Sequence, residues 1–243
     1  MGKPCAFTGQ SLISHMEGVE KLVREAFVEE GYAKIVRKRL SKIRQSLPHH
    51  PDFPEEVVED AIVLTAVSHD LGKAVEYFQR QLTNDCSGRA SFHPHEVLSG
   101  AYLIKAVADQ SPLLPFITTA VMMHHHAMRV PDEKTLEKAQ EVVRGGGKVL
   151  GAGELHKFLS RIKSFSFKEV GEITPDDVER LRLYINQVIN STPYTGVPTS
   201  SSLQVYSLFL LPLVVSDNLD STRRGDDEDR RLFIVELKNI YGD

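Results

Sequence analysis

The stretch from Val58 to Leu82, VEDAIVLTAVSHDLGKAVEYFQRQL, constrains this chain more than any other segment. Val58 to Val67 reads as an apolar helix. It delivers a histidine and an aspartate side by side, His69 and Asp70. A neutral imidazole and a carboxylate are both good ligands for a divalent metal. Neighbouring positions on a helix diverge by about 100°, which suits two ligands on adjacent sides of one ion. Gly72 is expected to close the helix with a positive φ. Lys73 is expected to place a cation beside the metal, in reach of a phosphate oxygen. A bare His-Asp pair is often only a surface or capping pair. His-Asp-x-Gly-Lys at the end of an apolar helix says more, and its weight depends on where the other histidines fall.

A chain of 243 residues is ample for one core, so a single all-α domain is expected, with residues 131–200 as a helical insertion or annex. Net charge is −4, so no global basic field draws in nucleic acid, and a polyanion must be held by local cations and metal. The longest apolar run, Leu208 to Val215, is short and contains Pro212, which excludes a membrane span. The opening MGKPCAF has no apolar signal core. Cys5 and Cys86 have neither a metal-knuckle spacing nor the look of a disulfide framework. That pattern suits a reducing, cytoplasmic location.

In chain order, Ser11 to Glu30 reads as a helix with Leu12, Met16, Val19, Val23 and Phe27 on one face and Gly31 closing it. His15 lies on that inward face, where a hydrogen-bonded core histidine is the plain reading. Tyr32 to Leu47 is a basic helix, a solvated face or a phosphate-backbone surface. His49 and His50 sit between prolines in a loop and are expected to be exposed. His95-Glu96 opens a helix that runs to about Val107. Phe116 to Met128 is apolar and ends in His124-His125-His126, of which at most two can face one way. Gly145 to Lys148 is not a phosphate-binding loop, because its first glycine is missing and Val149 stands where Ser or Thr would hold magnesium. His156 reads as a surface residue. Thr174-Pro175-Asp176-Asp177 is a strong helix start, with Asp177 reaching back to the cap. Leu203 to Leu219 is apolar almost all round and therefore buried. Asp217 follows its apolar run, where a carboxylate is costly unless paired, either with Arg223 or Arg224 or with a metal. Asp227 to Ile240 is an amphipathic closing helix, and no alternating run argues for a sheet.

His15, His69-Asp70, His95, His124-His125 and Asp217 thus lie at the ends or inner faces of five expected helices. This order, with HDLGK, the His-Glu helix opening and the His-His pair, resembles the HD superfamily of metal-dependent phosphohydrolases. More closely it is similar to the HD nuclease of type I CRISPR interference, over Ile13 to roughly Arg224. The resemblance implies metal ligation by His15, His69, Asp70, His95, His124, His125 and Asp217. Where the family has Gly after the His-His pair this chain has His126, so the register stays open between 124/125 and 125/126. No helicase motif is present, which implies a nuclease subunit whose ATP-dependent helicase is another polypeptide, acting with an RNA-guided complex.

His15, His69, Asp70 and Asp217 would satisfy one metal, so the remaining histidines imply a second ion, with Asp70 between the two. A pair of ions about 3.5–4 Å apart clamps the attacking and leaving oxygens of a phosphodiester. Lys73 would stabilise charge on the phosphate. An imidazole-rich site favours Mn, Fe, Co or Ni over Mg. Arg89, Arg223 and Arg224 are the candidate nucleic-acid contacts, and single-stranded DNA or RNA the expected substrate. The rival readings are an HD phosphohydrolase of nucleotides or cyclic dinucleotides, and a helical binding module with a structural metal.

Overall fold

The computed structural model describes residues 3–44, 52–109, 111–125, 131–189 and 199–222. The central helix, α3 (Glu55–Ser68), starts with Pro54 at its cap and Glu55 and Glu56 in the first turn, where carboxylates favour the positive end of the helix dipole. Every residue from Ala61 to Ser68 is buried. Thr65 and Ser68 turn their hydroxyls back onto the Ala61 and Leu64 carbonyls, so neither polar group is left unsatisfied.

Around it stand α1 (Leu12–Val23), α2 (Tyr32–Arg44), α6 (Leu114–Met122) and α10 (Thr199–Thr222). The inner stripe of α1 is Leu12, His15, Met16, Val19, Leu22 and Val23, the spacing of an amphipathic helix. Between α3 and α6 in the chain come a 3-10 turn (Leu71–Ala74), the short α4 (Glu76–Gln79) and α5 (His95–Ala106). α5 packs across the 3-10 turn and against α6. The outer helices α7 (Glu133–Gly146), α8 (Ala152–Leu159) and α9 (Pro175–Ile189) follow, with α9 on α5 and α6. The Thr174 hydroxyl and Asp177 cap α9 reciprocally, as expected.

Among the described residues the architecture is all-α but for isolated bridges and one small antiparallel hairpin, β1 (Cys5–Phe7) with β2 (Gln10–Ser11). Strands of three and two residues are too short to carry an alternating pattern, which is why the sequence reads as wholly helical. Gln79 fastens this hairpin to the bundle: its side chain accepts from the Cys5 N–H and donates to the Cys5 and Lys73 carbonyls.

Four expectations are corrected. Cys5 and Cys86 form a disulfide, although 81 residues separate them, so the cysteines no longer argue for a reducing compartment. Gly72 is not among the glycines of positive φ, and His69 and Asp70 run directly into the 3-10 turn. Glycine is needed there for closeness instead, since a Cβ would lie 2.2 Å from the His95 carbonyl oxygen. α10 is not buried all round, because Leu211 is exposed. His156 is half-buried, with its Nδ1 enclosed. The expected loop at His49 and His50 and the closing helix from Asp227 to Ile240 lie outside the described residues. Among the described residues, no helix is long and apolar enough to cross a membrane.

Candidate metal centre

The ends of α3, α5 and α6 meet the first turn of α1 and the last turns of α10, and seven of the predicted site residues converge there. Asp70 is at the centre. Its Oδ1 lies 3.0 Å from His95 Nε2, and its Oδ2 lies 3.3 Å from His15 Nε2 and 3.5 Å from His69 Nε2. Asp217 Oδ1 stands 3.5 Å from His15 Nε2 and 3.4 Å from His69 Nε2. His125 Nε2 is 3.2 Å from His95 Nε2. The His124 ring sits between those of His69 and His95, at centroid distances of 5.0 and 5.4 Å. Two donor groups result: His15, His69 and Asp70 on one side, His95, His124 and His125 on the other. The two oxygens of Asp70 are divided between them.

The helix ends explain how these rings are aimed. The last carbonyls of a helix have no intrahelical partner. At the end of α3 the Ala66 carbonyl accepts from His69 Nδ1 at 2.7 Å, and at the end of α6 the Val121 carbonyl accepts from His124 Nδ1 at 2.6 Å. His95 Nδ1 faces the Phe92 carbonyl at 3.2 Å. With Nδ1 engaged, each ring turns Nε2 into the common space. His124 Nε2 is buried there with no hydrogen-bond partner. A buried imidazole nitrogen without a partner, among other ring nitrogens and two carboxylates, is what a divalent cation satisfies. The residues present therefore fit a divalent metal.

Charge is balanced unevenly across the centre. Burial opposes ionisation of Asp70, but Lys73 and His69 outweigh it and hold the carboxyl well below its usual range. Burial likewise disfavours the Asp217 carboxylate, and His69 overcomes it, so Asp217 also titrates lower than usual. Burial would lower His69, yet Asp70 and Asp217 raise it to about 9. On the other side, burial and the neighbouring imidazoles push His124 well below its usual value and His125 to about 4. His124 and His125 are therefore neutral and ready for a metal, whereas His69 must shed a proton first.

These shifts give the metal-free protein a stability optimum. His69 holds its proton more tightly than an unfolded chain does. Its contribution is complete below the unfolded value of 6.5 and is lost as pH rises through about 9. His125 works in the opposite sense: the unfolded chain binds more protons, so stability falls as pH drops below 6.5 towards about 4, and His124, also held below its usual value, adds to that fall. Chelator-treated protein is expected to melt highest near pH 6.5 and to lose on the order of 3 kcal/mol by the alkaline end. Thermal melts across that range check it, and a melting temperature that climbs steadily above pH 7 would contradict it.

Lys73 is nearly buried, with Nζ 2.7 Å from Asp70 Oδ2 and 3.8 Å from the centre of the Phe7 ring. Phe92 lies 5.2 Å away on another side. Arg89 is exposed, while Arg223, Arg224 and His126 lie outside the described residues. One buried carboxylate escaped the sequence reading: Asp220 Oδ2 lies 2.7 Å from His15 Nδ1. A signal existed, since Asp220 extends the inward stripe of α10 through Phe209, Leu213 and Ser216.

A helical bundle enclosing paired histidine and aspartate groups on an HDxGK turn defines the HD class. A family model described as "Cas3, HD domain" matches residues 4–211, and the chain belongs to that family. It is similar to the CRISPR-associated endonuclease Cas3-HD of Saccharolobus solfataricus, at 27% identity over 91% of this chain and 90% of that protein. It is also similar to the protein of the same name from Methanocaldococcus jannaschii, at 28% identity over 96% of this chain and 95% of the relative. A third relative of that name, from Pyrococcus furiosus, is 26% identical over 96% of this chain and 97% of its own length.

Proposed function

We propose that this chain is a metal-dependent nuclease of CRISPR interference, hydrolysing phosphodiester bonds of single-stranded DNA above all, and of RNA. The observation that carries the reading is Asp70, with one oxygen towards each donor group. His15, His69, Asp70 and Asp217 would hold one divalent ion, and His95, His124, His125 and Asp70 a second. Bound ions of this kind lower the pKa of water and offset charge on phosphate oxygens. An imidazole-rich set favours manganese, iron, cobalt or nickel over magnesium, which prefers an oxygen shell and keeps its waters. Lys73 balances Asp70 and adds positive charge near the scissile phosphate. The family membership and the names of the relatives support the CRISPR setting, and the cytoplasm follows from that role rather than from the cysteines.

The strand preference follows from charge and access. Net charge is negative, so Arg89, Arg223 and Arg224 give only local, salt-sensitive hold on a backbone. A phosphate must come close to a centre in which His15, His69, Asp70, His95 and His124 are buried and His125 is exposed, which a flexible strand does more readily than a closed duplex. Duplex degradation then needs a separate ATP-dependent helicase and an RNA-guided complex to open the target. Labelled single-stranded DNA, single-stranded RNA, blunt duplex, open-loop duplex and a cyclic dinucleotide, each with manganese or magnesium, test this. Cleavage of the single strands and the open loop with closed duplex spared is expected. Efficient degradation of closed duplex by this chain alone would overturn the helicase requirement. Turnover of the cyclic dinucleotide alone would replace the nuclease with a nucleotide phosphohydrolase.

A further inference from the structure

His15 differs from the other histidines of the centre in how its ring is held. His69, His95 and His124 each reach a carbonyl three residues earlier, at or beside a helix end. His15 lies inside α1, where the carbonyls behind it are already taken by the helix ladder. Its Nδ1 partner comes instead from 205 residues away, the Asp220 carboxylate at 2.7 Å. Both side chains are buried, at 0% and 9% exposure. The approach is built into the helix pair: a Cβ at Gly18 would lie 2.1 Å from Asp220 Oδ1 and 2.9 Å from its Cγ. Gly18 is one turn beyond His15, so α1 leaves a notch where the carboxylate enters. Asp217, a turn earlier on α10, faces the other nitrogen of the same ring at 3.5 Å.

We propose that Asp220 is a positioning residue for the first metal: it fixes His15 with Nδ1 protonated and Nε2 turned to the ion, and makes that nitrogen a stronger donor. Gly18 is the space that admits it. A carboxylate behind a metal-bound imidazole is worth about 10–100-fold in metal affinity. The inference rests on the metal reading above, and its test separates the two. Cobalt(II) is titrated into wild-type protein, Asp220→Ala, Asp220→Asn, Gly18→Ala and His95→Ala, by calorimetry and by the visible absorption of bound cobalt. Circular dichroism in chelator reports folding. Wild type is expected to take two ions. Asp220→Ala and Gly18→Ala should weaken one ion about 10–100-fold and alter its absorption band, with the other ion unchanged. Asp220→Asn should fall between, because its amide oxygen still accepts from Nδ1 but carries no charge. His95→Ala should weaken the opposite ion. A purely structural role would instead lower stability and shift both ions together, and that result overturns the proposal. If Asp220→Ala does not fold, Asp220→Asn and Gly18→Ala decide. Unchanged cobalt binding in these folded variants overturns the role of Asp220 alone. A wild type that binds no cobalt overturns the metal reading and this inference with it.

Discussion

Asp70→Ala is expected to yield a helical protein without measurable nuclease activity. The substitution removes the oxygen that faces His95 at 3.0 Å and the oxygen that faces His15 at 3.3 Å, so one donor group loses a member and the other the carboxylate oxygen facing it. Metal-held charge contributes several kcal/mol to phosphoryl chemistry, so the rate should fall at least about a thousandfold. The same change strips Lys73 of its partner at 2.7 Å and leaves a nearly buried ammonium against Phe7 and Phe92. Breaking a buried pair from one side costs on the order of 3–5 kcal/mol, so the alanine variant should also melt earlier. Asp70→Asn keeps the shape and an oxygen near Lys73, and isolates the loss of charge. Circular dichroism, metal content and cleavage of a labelled strand are measured together. Wild-type rates in a folded Asp70→Asn protein would remove Asp70 from the centre.

Gly72→Ala is expected to damage stability and activity together, through backbone rather than side chain. The new methyl would lie 2.2 Å from the His95 carbonyl oxygen, 2.6 Å from the Ser99 nitrogen and 2.9 Å from Leu98 Cβ. None of these is the loose end of a side chain. The 3-10 turn and the first turn of α5 must therefore separate, straining the bond from the Gly72 N–H to the Ser99 hydroxyl. Overpacking of this kind costs about 1–3 kcal/mol, roughly 2–12 °C in melting temperature for a chain of this size. Moving α5 also carries His95 away from Asp70. Melting curves and cleavage rates of the variant check this, and an unchanged protein by both measures would mean that the turn yields freely.

What was legible in the sequence was the chemistry carried by local order. The apolar run of α3 announced a helix, and its His-Asp ending announced a centre. Histidines at the ends of apolar segments could be read because a helix end is written locally, in prolines, acidic first turns and the close of an apolar period. Features that depend on distant partners were not legible. Nothing near Cys5 points to Cys86. The motif at Gly72 suggested a backbone sign, when the residue is small to let α5 pass. Asp220 was overshadowed by Asp217 three residues earlier, and its reason for being buried is a ring on the first helix. The sequence suggests a phosphate contact for the charge of Lys73 but not the bond it makes to Asp70.

The late position of α10 has a bearing on biosynthesis. A chain made from its N-terminus carries His15, His69, Asp70, His95, His124 and His125 well before it carries Asp217 and Asp220. Until then His15 lacks the carboxylates that face it from α10 on both ring nitrogens, and the core lacks the helix that packs on α1, α3 and α6. A nascent or prematurely terminated chain is therefore an incomplete cutter, and the donor set closes only after translation has passed residue 220.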